Sequence, residues 1–375
     1  MNDVRSTLSL NGTWKIAFDP ENVGKEQTWQ SDFPLHQAED LKVPGVWEQI
    51  RPGYDGVAWY RREFEADDAW RGKSVRLHVG ACFYYTERGH NGTYLGANEG
   101  GFLPFEFELA DKLKTGANTV VMRVIGPPAD REIEGLRGGA PLNQSDLPSS
   151  KSAWYYNFGG IWQDVELRVT DKLRIDDIFV KPRPADACAD VEVTVRNEKS
   201  PGKVELALRI VPDDGGEAAA SLEQTLDLEE GINHTTVTVA FDSFTHWSPE
   251  NPFLYAAEAT LLQDETAVDR CRERFGMREF TIRDGHFVLN GEPIVLKGFL
   301  QQGMYPRTLI FPETPDIARR ELELMKENGF NFLRAHLKPV SQVLDMADEM
   351  GILIEAEPPL GWISNSPQLP WKAKP

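Results

Sequence analysis

The chain has 375 residues, with 40 Lys+Arg against 59 Asp+Glu and a formal net charge of −19. That length accommodates two or three domains, and the acidic balance argues against nucleic acid, membrane surfaces and acidic polyanions as partners. Three widely spaced cysteines, Cys82, Cys188 and Cys271, cannot all pair, which argues against a disulfide framework and favours a reducing compartment.

Met1 leads into Asn2-Asp3-Val4-Arg5 with no apolar leader core, and no run of about eighteen apolar residues occurs, so the expectation is a soluble, unprocessed, cytoplasmic chain. From Leu8 to about Thr170, short alternating runs stand between turn clusters, as in Ser74-Val75-Arg76-Leu77-His78-Val79 before Gly80, and Asn118 to Val124 before Gly126-Pro127. Period-two alternation at this spacing predicts an antiparallel β-sandwich or jelly roll. Asn91-Gly92-Thr93 is expected as an Asn-Gly turn rather than a glycosylation site. The segment Pro127 to Ser152, rich in Gly, Pro, Ser and charge, predicts a long loop of the kind that is often functional or disordered.

A second set of strands is expected at Ile175–Val180, Val191–Val195, Val204–Ile210, Thr235–Phe241 and Tyr255–Leu262, a span of about one hundred residues that suits an immunoglobulin-like sandwich. After Phe280 the pattern changes. Phe287-Val288-Leu289, Asn290-Gly291 and Glu292 to Leu296 predict a hairpin. Thr314-Pro315-Asp316 then predicts a capped helix to about Asn328, stopped by Gly329. A strand from Phe330 to Arg334, a helix from Ser341 to Met350, Gly351 and a strand Ile352-Leu353-Ile354 follow. Strands alternating with helices through short connections are the start of a parallel α/β domain, either an open sheet or a barrel. About 90 residues remain after Phe287, whereas a (β/α)8 barrel takes about 250. A barrel would therefore stop before its fourth strand, with edges and apolar faces uncovered.

The order of these units, together with their motifs, resembles glycoside hydrolase family 2, the family of β-galactosidases, β-glucuronidases and β-mannosidases. The first unit carries Leu10-Asn11-Gly12-Thr13-Trp14, Val43-Pro44-Gly45-Val46-Trp47, Trp59-Tyr60-Arg61-Arg62-Glu63-Phe64, Glu99-Gly100-Gly101-Phe102-Leu103-Pro104-Phe105 and Gly159-Gly160-Ile161-Trp162. These look like the family's sugar-binding-type jelly roll. Trp247-Ser248-Pro249-Glu250-Asn251-Pro252-Phe253-Leu254-Tyr255 looks like its immunoglobulin-like domain, and Phe275-Gly276-Met277-Arg278, Leu289-Asn290-Gly291-Glu292-Pro293 and Leu296-Lys297-Gly298 like its entry into the barrel. The resemblance implies a multidomain chain: a jelly-roll β-sandwich over 1–172, an immunoglobulin-like β-sandwich over 173–280, and the truncated start of a TIM barrel over 281–375. Trp14, Trp47 and Trp162 are expected in cores rather than on sugars, and Glu99-Gly100-Gly101 as a turn whose glycines supply positive φ.

Barrel active sites gather at the carboxyl ends of the strands, which singles out three places. The first follows strand one, where Gln301, Gln302, Tyr305 and Arg307 offer groups that grip hydroxyls. The second is Arg334-Ala335-His336-Leu337-Lys338-Pro339. Arg334 matches an arginine that in the family sits against the nucleophilic carboxylate, where a fixed charge keeps that group ionised and oriented. His336 and Lys338 are candidate substrate contacts, and they depart from the galactosidase pattern, whose histidine stands one position later.

The third place is Glu355-Ala356-Glu357-Pro358-Pro359-Leu360-Gly361-Trp362. Glu355 and Glu357 share a strand face, Glu357 matches the family's acidic residue, and Trp362 is a candidate sugar platform. Ala356, Gly361 and Ile363 replace acidic and magnesium-binding positions, so neither metal nor cofactor is expected. Glu355 and Glu357 as the catalytic pair themselves are disfavoured, because one strand approaches the sugar from one side only. The resemblance places the acid/base at the end of strand four and the nucleophile at the end of strand seven, both beyond Pro375.

The function implied is a retaining hydrolase of β-glycosides, present as a fragment without its catalytic pair, with a carbohydrate as its partner. Family members often associate, which makes a homo-oligomer a candidate state. The alternative is a non-catalytic carbohydrate-binding or scaffold protein.

Overall fold

A computed structural model describes residues 4–109, 112–126, 133 and 158–357. The sequence first builds two facing sheets. One has four strands in the order Ser6–Ser9, Val165–Thr170, Ser74–Val79, Phe105–Glu108; the other has six, in the order Glu39–Val43, Gly12–Asp19, Gly56–Ala66, Gly116–Gly126, Tyr85–His90, Thr93–Glu99. Alternation along each strand sends Trp14, Ile16, Tyr60, Leu77, Met122 and Leu167 between the sheets, where all are buried. Each such side chain contributes about 1.5–3 kcal/mol by leaving water. Trp14, Trp47 and Trp162 are core residues, as expected, at 0%, 0% and 2% exposure. Asn91 and Gly92 both take positive φ, 47° and 80°, and turn the chain between the last two strands of the six-stranded sheet as an Asn-Gly hairpin does. In the other expected glycine turn only Gly100 has positive φ, at 130°. Gly101 serves close packing instead, since a Cβ there would stand 2.2 Å from the Phe83 ring.

The next sandwich packs Leu173–Arg183, Cys188–Asn197 and Gly231–Ala240 against a sheet in the order Ala220–Leu228, Gly202–Pro212, Tyr255–Gln263, Thr266–Phe275. Each expected strand is present. Ala220–Leu228 and Thr266–Phe275 are additional, and most of the residues along Ala220–Leu228 are exposed. Cys82, Cys188 and Cys271 are all free thiols.

The last unit opens with an antiparallel sheet of Phe280–Arg283, His286–Leu289 and Glu292–Pro293. A parallel sheet of Gly298–Gln301, Phe332–Ala335 and Leu353–Ala356 follows, with helices α1 (Pro315–Glu327) and α2 (Ser341–Met350) between its strands. In α1, Ala318, Leu322 and Met325 recur at helical spacing and are buried. Pro315 occupies the first turn, where its missing N–H costs nothing, but Thr314 makes no side-chain capping bond, so the expected hydroxyl cap is absent. Gly351 ends α2 in the left-handed conformation. No helix among the described residues is long and apolar enough to cross a membrane.

These units are joined by packing. Val46, Phe83, Phe102, Phe158 and Trp162 of the jelly roll form one apolar cluster with Ile310 and Leu337 from the loops after the first two barrel strands. From the second sandwich, the Trp247 indole N–H donates to the Asp348 carbonyl at 2.8 Å, and Arg274 pairs with Asp345 at 2.9 Å and Glu349 at 2.8 Å on α2.

Candidate active site at the barrel strand ends

Parallel register sets the site. Leu300, Arg334 and Glu355 stand side by side, one residue beyond the row of Phe299, Leu333 and Ile354. Leu333 is buried against Ala318, Leu322 and Met325 of α1 and Val343, Met346 and Ala347 of α2. Side chains alternate along a strand, so the next row, with Arg334 and Glu355, faces away from the helices, and Glu357 returns to the same face. The Glu357 N–H donates to the Ala335 carbonyl at 3.0 Å, carrying the ladder one residue past the strand.

On that face Arg334 Nη2 lies 2.6 Å from Glu357 Oε1, and Arg334 Nε lies 4.0 Å from Glu355 Oε1. The arginine therefore stands between two carboxylates, closely paired with one. Glu357 is the enclosed partner, with its side chain 19% exposed against 48% for Arg334 and 59% for Glu355. At such exposure the pair adds about 0–1 kcal/mol to stability, so its geometry matters more for what it presents than for what it holds together.

His336 is buried, and its backbone N–H donates to the Gln301 carbonyl at 2.9 Å. Leu337, the next residue, locks this segment into the jelly-roll cluster. Lys338 is half-buried. Trp362, Gly361 and Ile363 lie outside the described residues, as does most of the expected loop after Pro127.

Gln301 and Tyr305 go elsewhere. Gln301 shares its register row with Ala335, on the helix-facing side, and its amide donates to Glu321 Oε2 of α1 at 2.7 Å and to the Tyr305 hydroxyl at 3.3 Å. The Tyr305 hydroxyl donates to the same Glu321 oxygen at 2.9 Å. Burial, and then the Glu321 charge, push the Tyr305 phenol well above its ordinary range. Both residues line a cavity of about 670 Å³ with Phe299, Met304 and Leu324. The structure thus groups Gln301 and Tyr305 with Glu321, apart from Arg334, Glu355 and Glu357 at the other two strand ends. Glu321 had not been singled out. Its signal was a carboxylate three residues after Ala318 and four before Met325, on the buried stripe of α1.

A second carboxyl missed from sequence is Glu48, in the short 3-10 turn Trp47–Gln49 of the jelly roll. It accepts from the Gly159 N–H at 3.2 Å, and burial pushes it up to about 8, with the Asp55 charge adding to the effect. Its neighbour Gln49 donates to the Arg307 carbonyl at 3.4 Å in the first barrel loop. This jelly-roll turn therefore borders the strand-end side of the parallel sheet.

Comparison with known proteins agrees with this architecture. Residues 49–170 match the model for "Glycosyl hydrolases family 2, sugar binding domain", residues 173–278 that for "Glycosyl hydrolases family 2", and residues 280–369 that for "Glycosyl hydrolases family 2, TIM barrel domain". A β-galactosidase of Thermoanaerobacter pseudethanolicus is 28% identical over 96% of this chain and 47% of its own length. A β-glucuronidase of Paenibacillus borealis is 24% identical over 95% of this chain and 59% of its own. The solved β-glucuronidase of Ruminococcus gnavus in complex with D-glucaro 1,5-lactone superposes with a TM-score of 0.79 at 25% identity, covering 96% of this chain and 60% of that one. The chain thus spans about half the length of the curated relatives it matches. From the strand-end arginine and carboxylates to the two sandwiches that brace them, the chain belongs to glycosyl hydrolases family 2.

Proposed function

We propose that this chain is the front portion of a retaining β-glycosidase, divided into a jelly roll over 1–172, an immunoglobulin-like sandwich over 173–280 and the first three strands of a TIM barrel over 281–375. The observation that carries the reading is the Arg334–Glu357 pair, 2.6 Å apart at the carboxyl ends of neighbouring parallel strands, where barrel enzymes do their chemistry. The relatives named β-galactosidase and β-glucuronidase support a β-glycoside as the substrate class.

Retaining hydrolysis needs two carboxyl groups about 5–5.5 Å apart on opposite sides of the glycosidic bond. Glu355 and Glu357 rise from one strand and share one arginine, an arrangement suited to orienting a neighbouring group rather than to flanking a bond. In this reading Arg334 supplies a fixed positive charge to a nucleophilic carboxylate from a later strand, Glu357 holds the arginine in place, and His336, Lys338, Glu355 and Trp362 line the sugar site. Gln301 and Tyr305 act indirectly, by fixing the first strand end against α1. The acid/base and the nucleophile come from residues after Pro375, so this chain alone is inactive. The reading frame after Pro375 tests this: an Asn-Glu pair at a fourth strand end and a glutamate at a later one support it, and a stop codon directly after Pro375 contradicts it.

A further inference from the structure

Trp247 of the second sandwich lies at the amino ends of the barrel strands whose carboxyl ends carry Arg334, Glu355 and Glu357. It is 1% exposed and shares an apolar cluster with Leu254, Leu289 and Leu353, against which Leu296 and Phe332 pack. Phe332 and Leu353 are register partners at the start of the second and third strands, and Arg334 and Glu355 are the partners two residues on. Residues two apart on a strand share a face. Phe332 and Leu353 therefore form the layer directly beneath Arg334 and Glu355, and Trp247 belongs to the cluster that holds that layer.

The polar groups of Trp247 bond to three separate parts of the chain. Its N–H donates to the Met277 carbonyl at 3.0 Å, its carbonyl accepts from the Asn290 amide at 3.0 Å, and its indole N–H donates to the Asp348 carbonyl of α2 at 2.8 Å. The Arg278 guanidinium carbon lies 4.4 Å from its ring centroid. Gly276 makes room for it, since a Cβ there would stand 2.6 Å from the Trp247 Cβ. Two residues on, the Pro249 carbonyl accepts from the Lys326 ammonium of α1 at 2.5 Å, and the same ammonium donates to the Gly351 carbonyl at 3.4 Å. One loop thus ties the hairpin, both helices and the starts of two strands to the second sandwich. Close-packed interiors transmit displacement instead of absorbing it, so this loop fixes where the two strands stand, and with them the 2.6 Å approach of Arg334 to Glu357.

We infer that Trp247 is a positioning residue: by clasping the amino ends of the second and third barrel strands it sets the pairing of Arg334 with Glu357 beyond their carboxyl ends. The bearing of this clasp on catalysis rests on the hydrolase reading, whereas its hold on the arginine does not.

Nuclear magnetic resonance of the 375-residue chain labelled with 15N-arginine tests the placement. The Arg334 Nε–H signal, identified by its loss in Arg334→Lys, should move in Trp247→Phe in the direction in which it moves in Glu357→Gln. It should keep its parent position in Val193→Ala, which truncates the buried core of the same sandwich and so controls for lost stability alone. Lys326→Met, which removes the bonds to Pro249 and Gly351, should move the same signal and carries the test if Trp247→Phe does not fold. In the chain extended through the following reading frame, Trp247→Phe should lower kcat by about tenfold or more and leave KM within about threefold of the parent. An Arg334 signal unmoved in both clasp variants, or moved equally in Val193→Ala, would overturn the inference, as would an unchanged kcat where the extended parent is active. An extended parent that turns over no glycoside would overturn the hydrolase reading instead, and the Arg334 signal would still decide the placement.

Discussion

Arg334 reaches across two parallel strands to place Nη2 2.6 Å from Glu357 Oε1, while Glu355, in the same register row as the arginine, stays 4.0 Å from its Nε. One cation thus serves two unequal carboxylates, and the closer one is the more enclosed. The arginine of the pair is about half exposed while the Glu357 oxygen that it meets is buried, so function and stability are read separately on mutation. In the chain extended through a complete barrel, Arg334→Ala should lower kcat by about a hundredfold or more, the scale for removing a charge that acts on the reacting groups. In the 375-residue chain, where the arginine is 48% exposed, the same substitution should shift the melting temperature by no more than about 3 °C, because a pair with an exposed partner contributes about 0–1 kcal/mol. Steady-state kinetics on the longer chain and calorimetry on the shorter one provide the two numbers.

Glu48 should make stability depend on pH. Its folded carboxyl titrates near 8, raised from 4.5 by burial, so the folded chain holds a proton that the unfolded chain has lost between those values. Stability from this group is fully present below about pH 4.5 and falls as pH rises towards 8. Glu48→Gln, which stays neutral, should flatten the melting temperature between pH 5 and 8, with a gain of a few degrees at the upper end. Glu106 runs the other way. Burial pushes it up, but the His78 hydrogen bond and the charges of Arg76 and Arg168 prevail and bring it down to about 2. Its contribution is present above about pH 4.5 and lost as pH falls towards 2, and acid unfolding of Glu106→Gln should lose that part of its slope.

Arg88 is 1% exposed, its guanidinium carbon lies 3.3 Å from the Phe107 ring centroid, and among the described residues none of its three nitrogens has a hydrogen-bond partner. Burial lowers it to about 9. A desolvated cation without a carboxylate costs more than its stacking returns. Arg88→Met, similar in reach and apolar, should raise stability by about 1–4 kcal/mol in urea unfolding.

Gly351 joins α2 to the third barrel strand at φ 71°, and a Cβ there would stand 2.5 Å from the Pro249 carbonyl oxygen of the second sandwich. Both the backbone conformation and the close approach oppose a side chain. Gly351→Ala should destabilise the chain by about 1–3 kcal/mol, read by urea unfolding.

Much of this fold was legible because its strands alternate plainly. Val191, Val193 and Val195 all enter one core, and Asn91-Gly92 marks its hairpin. Ala220–Leu228 was missed because its Ser, Glu, Gln, Thr and Asp side chains are exposed and only two residues near its end are buried, which leaves no apolar period to detect. At the candidate site, the shared face of Glu355 and Glu357 was legible because residues two apart on a strand point the same way, whereas the Arg334–Glu357 pairing was not, since it depends on the parallel register between two strands. The placement of Gln301 was not legible. A strand as short as Gly298–Gln301 does not show which of its residues face the helices until its register with Leu333 and Ala335 is known. Glu321 was hidden for a related reason, since its partners come from a different element.

We propose that the chemistry lies outside these 375 residues while the arginine and carboxylates that support it lie within them. Hydrolysis of 4-nitrophenyl β-galactoside, β-glucuronide, β-mannoside and β-glucoside should be measured with the 375-residue chain and with the chain extended through the following reading frame. Turnover of at least one glycoside by the longer chain and none by the shorter is the predicted result. Turnover by the shorter chain, abolished by Glu355→Gln or Glu357→Gln, would contradict it and make those two carboxylates the catalytic pair.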